Sequence, residues 1–167
     1  MTKGLAKSGV ISKEELERYR VYPSEERLRK GPVAIIECIQ EIPCDPCVHS
    51  CPQKAISLKT LSALPELDRE KCIGCGLCVP SCPGLAVFLV DMTYSKDEAL
   101  VQLPYEFLPV PKVGEHVDAV DREGNPKAKG RVVRVRIDPK TNRTAVLAVA
   151  VAKDVALDVR GVRSELG

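Results

Sequence analysis

The sequence predicts an α+β protein with a cysteine-rich core, short helices before it and a small β-rich module after it. All eight cysteines lie between Cys38 and Cys82, and short apolar runs flank them. Beyond residue 112 the cysteines are absent, and apolar and polar residues alternate as they do in strands. The 167 residues are therefore expected to form an arm with short helices at 1–32, a core domain at 33–103 and a β-rich module at 112–167.

The arm contains two helix-start signals. Ser12 followed by Glu15 has the pattern of a capping box, which predicts a short helix over Ser12–Arg20. A second helical turn is predicted over Ser24–Lys30, and the Gly-Pro pair after it would end it. The charged residues of this turn are interpreted as a solvated face; they are Glu25, Glu26, Arg27, Arg29 and Lys30.

Short apolar runs around the cysteines are predicted to be strands. Val33–Gln40 leads into the first cysteine group, Gln53–Leu58 follows that group, and Leu85–Val90 follows the second group. Leu61–Leu67 is interpreted as a connector between the two halves. The matching Pro52 and Pro83 indicate an internal duplication, in which each half is expected to have a strand, a cysteine loop, a short helical turn and another strand.

Three prolines between Leu103 and Lys112 predict a linker after the core. The module then shows strand patterns at Val117–Val120 and Arg131–Ile137, while Thr144–Ala152 is apolar on both faces, as in a central strand. Lys153–Arg163 fits either a short helix or a strand. Turns are predicted at Asp121–Lys127 and Asp138–Arg143. The module has no ligand set, and its expected role is docking to another protein.

Composition excludes several classes of function. Lys plus Arg number 25, Asp plus Glu number 23, and aromatic residues make up 4%, so the net charge is only +2 and no nucleic-acid binding is expected. The longest apolar run, Ala145–Ala152, is too short to span a bilayer. The N-terminus lacks the apolar core of a signal peptide, which predicts a cytoplasmic protein. Cysteines are kept reduced there, and clustered reduced cysteines are typical of metal ligands or redox groups.

The second cysteine group has the spacing C-x2-C-x2-C-x3-C-P. Its members are Cys72, Cys75, Cys78 and Cys82. Three closely spaced thiolates followed by a cysteine before proline are the pattern of an iron–sulfur cluster loop. Gly74 and Gly76 allow positive φ angles, which let backbone N–H groups turn toward the sulfur atoms.

The first cysteine group departs from this pattern at one position. Its members are Cys38, Cys44, Cys47 and Cys51, and Pro52 follows. The standard spacing would place a cysteine at Glu41, but the cysteine is at Cys38, which gives C-x5-C. The simplest interpretation is a larger loop with Cys38 as the fourth ligand. The alternative is a free Cys38 and a three-iron, 3Fe–4S cluster.

Zinc is the main chemical alternative, because C-x2-C pairs also bind zinc. Zinc sites usually combine two separated pairs, and they do not need a third cysteine and a cysteine before proline in one run. Neither a nucleophilic triad nor a phosphate loop is recognised, so no catalytic residue is assigned. His49 and His116 are interpreted as ordinary polar residues.

Residues Val33 to Met92 resemble the two-cluster ferredoxins of the bacterial type. The resemblance rests on the two cysteine groups with Pro52 and Pro83 after them. It implies a ferredoxin-like dicluster core of βαββαβ order, two 4Fe–4S clusters and transfer of single electrons. In such proteins the two halves exchange their last cysteines. Cluster I is then assigned to Cys38, Cys44, Cys47 and Cys82, and cluster II to Cys51, Cys72, Cys75 and Cys78.

A narrower resemblance concerns the segments GPVAIIECIQEIPCDPCVHSCPQKAI and LDREKCIGCGLCVPSCPGLAVFLVD and the tail after them. They are similar to the ferredoxin-like subunits of FAD-dependent amino-acid or amine dehydrogenases, such as those that oxidise proline or hydroxyproline. This resemblance implies that the partner is an FAD-containing dehydrogenase subunit and that the complex can include a further iron–sulfur subunit. It also implies that the chain alone catalyses no reaction. The alternatives are a free ferredoxin that carries electrons by diffusion and a zinc-stabilised structural interaction module.

Overall fold

The computed structural model describes residues 4–139 and 144–163. The described part contains five short helices and nine strands, and none of its helices has the length and apolar character needed to cross a membrane. The helices are α1 (Leu5–Ser8), α2 (Lys13–Arg18), α3 (Glu25–Leu28), α4 (Pro46–His49) and α5 (Cys78–Ser81). The strands are β1 (Val33–Ile36), β2 (Ile56–Ser57), β3 (Glu66–Leu67), β4 (Val87–Asp91), β5 (Glu98–Tyr105), β6 (His116–Val120), β7 (Pro126–Ile137), β8 (Ala145–Ala152) and β9 (Gly161–Arg163).

The arm forms the helices that its capping signals predict. The Ser12 hydroxyl accepts a hydrogen bond from the Glu15 N–H at 3.2 Å, and the Glu15 carboxylate accepts one from the Ser12 N–H at 2.8 Å. The predicted capping box is therefore confirmed, and the Ser24 hydroxyl caps α3 in the same way. Leu16 and Val21 are buried against the apolar face of the main sheet, which holds the arm on the rest of the molecule.

The core has the βαββαβ order that the resemblance implies. β1 pairs with β4 and β2 pairs with β3, both antiparallel. The turn after each Cys-Pro pair is alike in the two halves, since Lys54 and Leu85 both have positive φ angles and donate their N–H groups to the preceding Cys51 and Cys82 carbonyls. The internal duplication is thus visible in the backbone as well as in the cysteine spacing.

One antiparallel sheet continues from the core into the module. Its strand order is β1-β4-β5-β8-β7-β6-β9. β5 lies between β4 of the core and β8 of the module, and it pairs with β8 over its whole length. The chain therefore has an α+β structure dominated by a single large sheet, and the division into a core at 33–103 and a module at 112–167 separates sequence segments that share this sheet.

The predicted linker is wrong at its start, because β5 continues to Tyr105. Proline in a central strand would remove a ladder hydrogen bond, which is why Pro104 favours a linker in the sequence. In the structure, β4 pairs with β5 only as far as Gln102, so Pro104 has a neighbour on the β8 side alone. At this residue β5 has no neighbour on the β4 side, so it is an edge strand there, and edge strands tolerate proline.

The module confirms three predicted strands and extends one of them. β6 and β8 match the predictions, while β7 begins at Pro126 and is longer than predicted. A bulge between Val132 and Arg134 shifts the register, so the alternating residues Val133, Val135 and Ile137 do not form a regular buried face, and Ile137 is exposed. The ambiguous segment ends in the short strand β9. Part of the predicted turn at Asp138–Arg143 lies outside the described residues.

The two faces of the sheet have different partners. One face packs in the main apolar core with the arm, and it includes Ile35, Leu103 and Leu147. The other face packs against the cysteine loops, and it includes Ile36, Leu89 and Val146. Successive residues of a strand point to opposite faces, so each of these strands contributes to both layers.

Gly130 tests how tightly the main core is packed. A Cβ at this position would lie 2.6 Å from Val149 Cγ1, whereas a Cβ at Gly84 would meet nothing within 4 Å. We expect Gly130→Ala to lower the free energy of unfolding by about 1–3 kcal/mol through overpacking. Gly84→Ala, the matched control, should change it by less than about 0.5 kcal/mol. Thermal midpoints of the purified proteins at one scan rate are the measurement, and equal midpoints would contradict the close contact.

Candidate iron–sulfur site

Four cysteines line a cavity between the second cysteine loop and the sheet. They are Cys51, Cys72, Cys75 and Cys78. Ala34, Ile56 and Leu89 form apolar walls of this cavity, which we call cavity II. Three of its cysteines come from one loop and the fourth comes from the other half of the core, where it ends the first cysteine group.

The other four cysteines line a second cavity, which we call cavity I. They are Cys38, Cys44, Cys47 and Cys82. Ile36 and Val87 form part of its apolar wall. At cavity II, Leu67 is the counterpart of Ile36 and Ile56 is the counterpart of Val87. Cys38 therefore lies with the first group, and the two halves exchange their last cysteines in the structure.

The thiols influence one another within each set. Burial, with smaller contributions from the nearby thiols of Cys72, Cys75 and Cys51, raises the pKa of Cys78 to about 12. Burial likewise raises the pKa of Cys47 to about 11, with smaller contributions from Cys82, Cys44 and Cys38. These thiols are protonated at neutral pH in the absence of a bound group, so a metal that binds them must displace protons.

Backbone N–H groups point at one sulfur atom in each cavity. The Ala55 N–H donates to Cys51 Sγ at 3.3 Å, and the Ala86 N–H donates to Cys82 Sγ at 3.4 Å. The two donors hold equivalent positions in the duplication. Such donors stabilise negative charge on thiolate sulfur, which also raises the reduction potential of an iron–sulfur cluster bound to it.

The second cysteine loop requires glycine where the sequence has it. Gly74 has a φ of 67°, and a Cβ there would lie 2.5 Å from the Pro32 side chain. Gly76 has a φ of 73°, a conformation that favours glycine.

Four cysteines around an apolar cavity, with N–H donors to sulfur, fit an iron–sulfur cluster. Among the described residues, no three Cys, His, Asp or Glu side chains converge on a point that would hold a single metal ion.

Arg27 forms hydrogen bonds that fix the start of the second cysteine loop. Its side chain is buried and donates to four backbone carbonyls. They belong to Arg69 at 2.6 Å, Cys72 at 2.7 Å, Gly31 at 3.2 Å and Pro32 at 3.2 Å. The sequence interpretation of Arg27 as part of a solvated face is therefore wrong. Nothing in the sequence distinguishes it from the charged neighbours around it, because all of its partners are backbone carbonyls, and two of these lie more than 40 residues away.

Glu37 precedes the first cysteine loop and forms a buried ion-pair network. Its carboxylate accepts from Arg160 Nε at 2.6 Å and from Arg122 Nε at 2.9 Å. Arg122 also donates to the Tyr22 hydroxyl at 2.9 Å, and the Arg160 guanidinium lies over the Phe88 ring. Residues of the arm, the core and the module thus meet beside cavity I.

Arg136 links the module to the second cysteine loop. Its guanidinium donates to the Gly76 carbonyl at 2.9 Å. The two histidines lie outside both cavities. His49 is exposed and pairs with Asp45 at 3.1 Å, and His116 is exposed at the start of β6.

Removal of the Arg27 side chain tests its role in the loop. We expect Arg27→Ala to lower the free energy of unfolding by about 3 kcal/mol, because buried carbonyls lose their donor. Arg29→Ala, in the same segment, removes an exposed guanidinium with one ion pair to Glu25 at 3.3 Å and should cost less than about 0.5 kcal/mol. Thermal unfolding with the clusters in place measures both, and the visible absorbance of the sample reports whether they are retained. A similar loss in the two variants would refute a special role for Arg27.

Comparison with known proteins identifies the core. The family of the 4Fe-4S dicluster domain matches residues 37–86, a segment that includes all eight cysteines. The two ends of the segment are joined by a hydrogen bond of 2.8 Å from the Glu37 N–H to the Ala86 carbonyl. No curated protein and no solved structure matches the chain. The match covers less than half of the chain, and it supports a ferredoxin-type iron–sulfur domain over residues 37–86.

Proposed function

We propose that the chain is the electron-transfer subunit of a cytoplasmic oxidoreductase complex, in which it relays single electrons between an FAD-dependent dehydrogenase and an acceptor. The observation that carries the proposal is the presence of two separate four-cysteine cavities in one domain. A protein with one cluster can accept an electron, but two adjacent clusters allow an electron to enter at one place and leave at another.

Each cavity is proposed to hold one 4Fe–4S cluster. Cluster I would be bound by Cys38, Cys44, Cys47 and Cys82, and cluster II by Cys51, Cys72, Cys75 and Cys78. When bound, these groups supply one-electron redox chemistry. The chain's own residues ligate iron, exclude water through the apolar walls, and donate N–H groups to Cys51 and Cys82. Within residues 4–139 and 144–163, we assign no side chain to chemistry on an organic substrate.

The flavoprotein partner is inferred from the resemblance of the two cysteine segments to the ferredoxin-like subunits of amino-acid and amine dehydrogenases. Oxidation of an amine to an imine releases two electrons together, and FAD can pass them on singly to one-electron carriers. A relay with two clusters suits that task. A further iron–sulfur subunit of the complex remains compatible with this role.

Metal and sulfide analysis tests the clusters themselves. Anaerobically purified protein should contain about eight irons and eight sulfides, with coupled paramagnetic signals after reduction by dithionite. Cys38→Ala should lose the signals of cluster I and keep those of cluster II. Cys75→Ala, the matched variant of the other cavity, should do the reverse.

Different outcomes would contradict different parts of the assignment. Two intact clusters in Cys38→Ala would remove Cys38 from the ligand set. About seven irons, with a paramagnetic signal already present before reduction, would indicate a three-iron cluster in cavity I. Zinc in place of iron, in cells supplied with iron, would favour the zinc-stabilised interaction module and overturn the proposed function.

Native purification tests the complex. We expect the protein to co-elute in gel filtration with a yellow FAD-containing protein, in a complex that reduces an artificial acceptor when an amino acid or amine is added. The isolated chain should show no such activity, because the proposed relay leaves oxidation of the substrate to the flavoprotein. Elution as a lone small species with two clusters would favour the free ferredoxin instead.

A further inference from the structure

We propose that electrons are exchanged at the Cys75 surface, and that this surface docks an electron-transfer protein whose redox face is acidic. The Cys75 surface is defined by Ile73, Cys75, Leu77, Arg134 and Arg136. The inference rests on the proposed function and adds where the partner binds and which charge it presents.

Exposure separates Cys75 from the other cysteines. It is the exposed member of the eight, all of which the structure describes, while Cys78 is buried and the remaining six are intermediate. Ile73 and Leu77 flank it in the chain, with 60% and 41% of their surface exposed. Two large apolar side chains beside an exposed ligand form the kind of desolvatable centre that protein interfaces use.

Two arginines of β7 supply positive charge next to this centre. Arg136 donates to the Gly76 carbonyl, one residue after Cys75. Arg134 is exposed and lies on the same face of the sheet as Arg136, since they pair with Ala148 and Val146. The module thus adds one cation in contact with the second cysteine loop and a second one two residues away on the same face of the sheet.

The acidic residues nearest in sequence to this loop are paired with lysines. Asp68 lies 3.0 Å from Lys71, and Glu70 lies 3.1 Å from Lys30. They therefore offset little of the positive charge of the two arginines. An apolar centre with a basic margin is complementary to a protein with an apolar centre and an acidic margin.

The surface next to cavity I is less suited to docking. Cys38, Cys44 and Cys82 face a groove whose walls include residues of the arm and the guanidiniums of Arg122 and Arg160. Residues of the arm therefore form part of the surface beside cavity I, whereas the loop around Cys75 has exposed side chains on both sides.

A test uses an acidic flavodoxin as the partner protein. The holoprotein is reduced with dithionite, freed of excess reductant, and mixed with oxidised flavodoxin in a stopped-flow instrument. One electron leaves the reduced iron–sulfur protein, and the flavin takes up that electron with one proton from water, so the flavin absorbance reports the rate. Arg134→Glu should lower the second-order rate constant about fivefold or more at low salt, and the difference should shrink at high salt.

Lys96→Glu is the matched control, because Lys96 is exposed in the turn between β4 and β5 and the change in charge is the same. It should lower the rate constant by less than about twofold. Ile73→Gln should slow the reaction at low and high salt alike, since it removes apolar contact rather than charge. All variants should retain the visible spectrum and paramagnetic signals of the wild type.

The outcomes separate the two proposals. Equal slowing by Arg134→Glu and Lys96→Glu, or wild-type rates in both Arg134→Glu and Ile73→Gln, would overturn the Cys75 surface while leaving the electron relay intact. A wild-type protein that takes up no electrons from dithionite would overturn the proposed function and this inference together.

Discussion

The placement of the first cysteine loop depends on one buried carboxylate. Glu37 lies between the last residue of β1 and Cys38, and it binds two guanidiniums that come from the module. Charges buried to this degree are costly unless they are paired, so the carboxylate and the arginines must be brought in together. The arm contributes the Tyr22 hydroxyl to the same network. Arm, core and module are therefore coupled in folding, although the sequence divides them clearly by composition.

The two faces of the sheet have different roles: one packs in the main apolar core, and the other supports the cysteine loops. Its strands place alternate side chains in a dense apolar core on one face and against the cysteine loops on the other. The loops themselves contain little regular structure, and they are held by long-range hydrogen bonds from Arg27 and Arg136 to their carbonyls. A rigid sheet with side chains that clamp irregular loops keeps the thiols arranged before a metal arrives, which lowers the cost of ordering them on binding.

Local patterns predicted what is local in this protein. The cysteine spacing predicts two sets of four, and the same sets line the two cavities, while their ligation of iron stays a prediction. The capping box at Ser12 needs only residues within one turn, and it is confirmed. β5 was not predicted, although Ala99, Val101 and Leu103 are buried on one face of it. The reason is Pro104, because proline next to an apolar run favours a linker over a strand. The hydrogen bonds of Arg27 and Arg136 have no signal in the sequence for another reason. Their partners are backbone carbonyls, three of them more than 40 residues away, and backbone acceptors leave no mark in sequence.

The exchange of cysteines between the halves has a consequence for biosynthesis. Cavity I takes Cys82 from the second half, and cavity II takes Cys51 from the first. A ribosome makes the first half before the second, so the four thiols of cavity II exist only once residue 78 has been translated, and those of cavity I only once residue 82 has. With the ligands proposed above, iron and sulfide cannot be loaded stepwise onto a half-made chain, and a truncated product that ends before Cys82 would carry an open cluster site. With those ligands, the insertion of both clusters would follow the synthesis of both halves of the core.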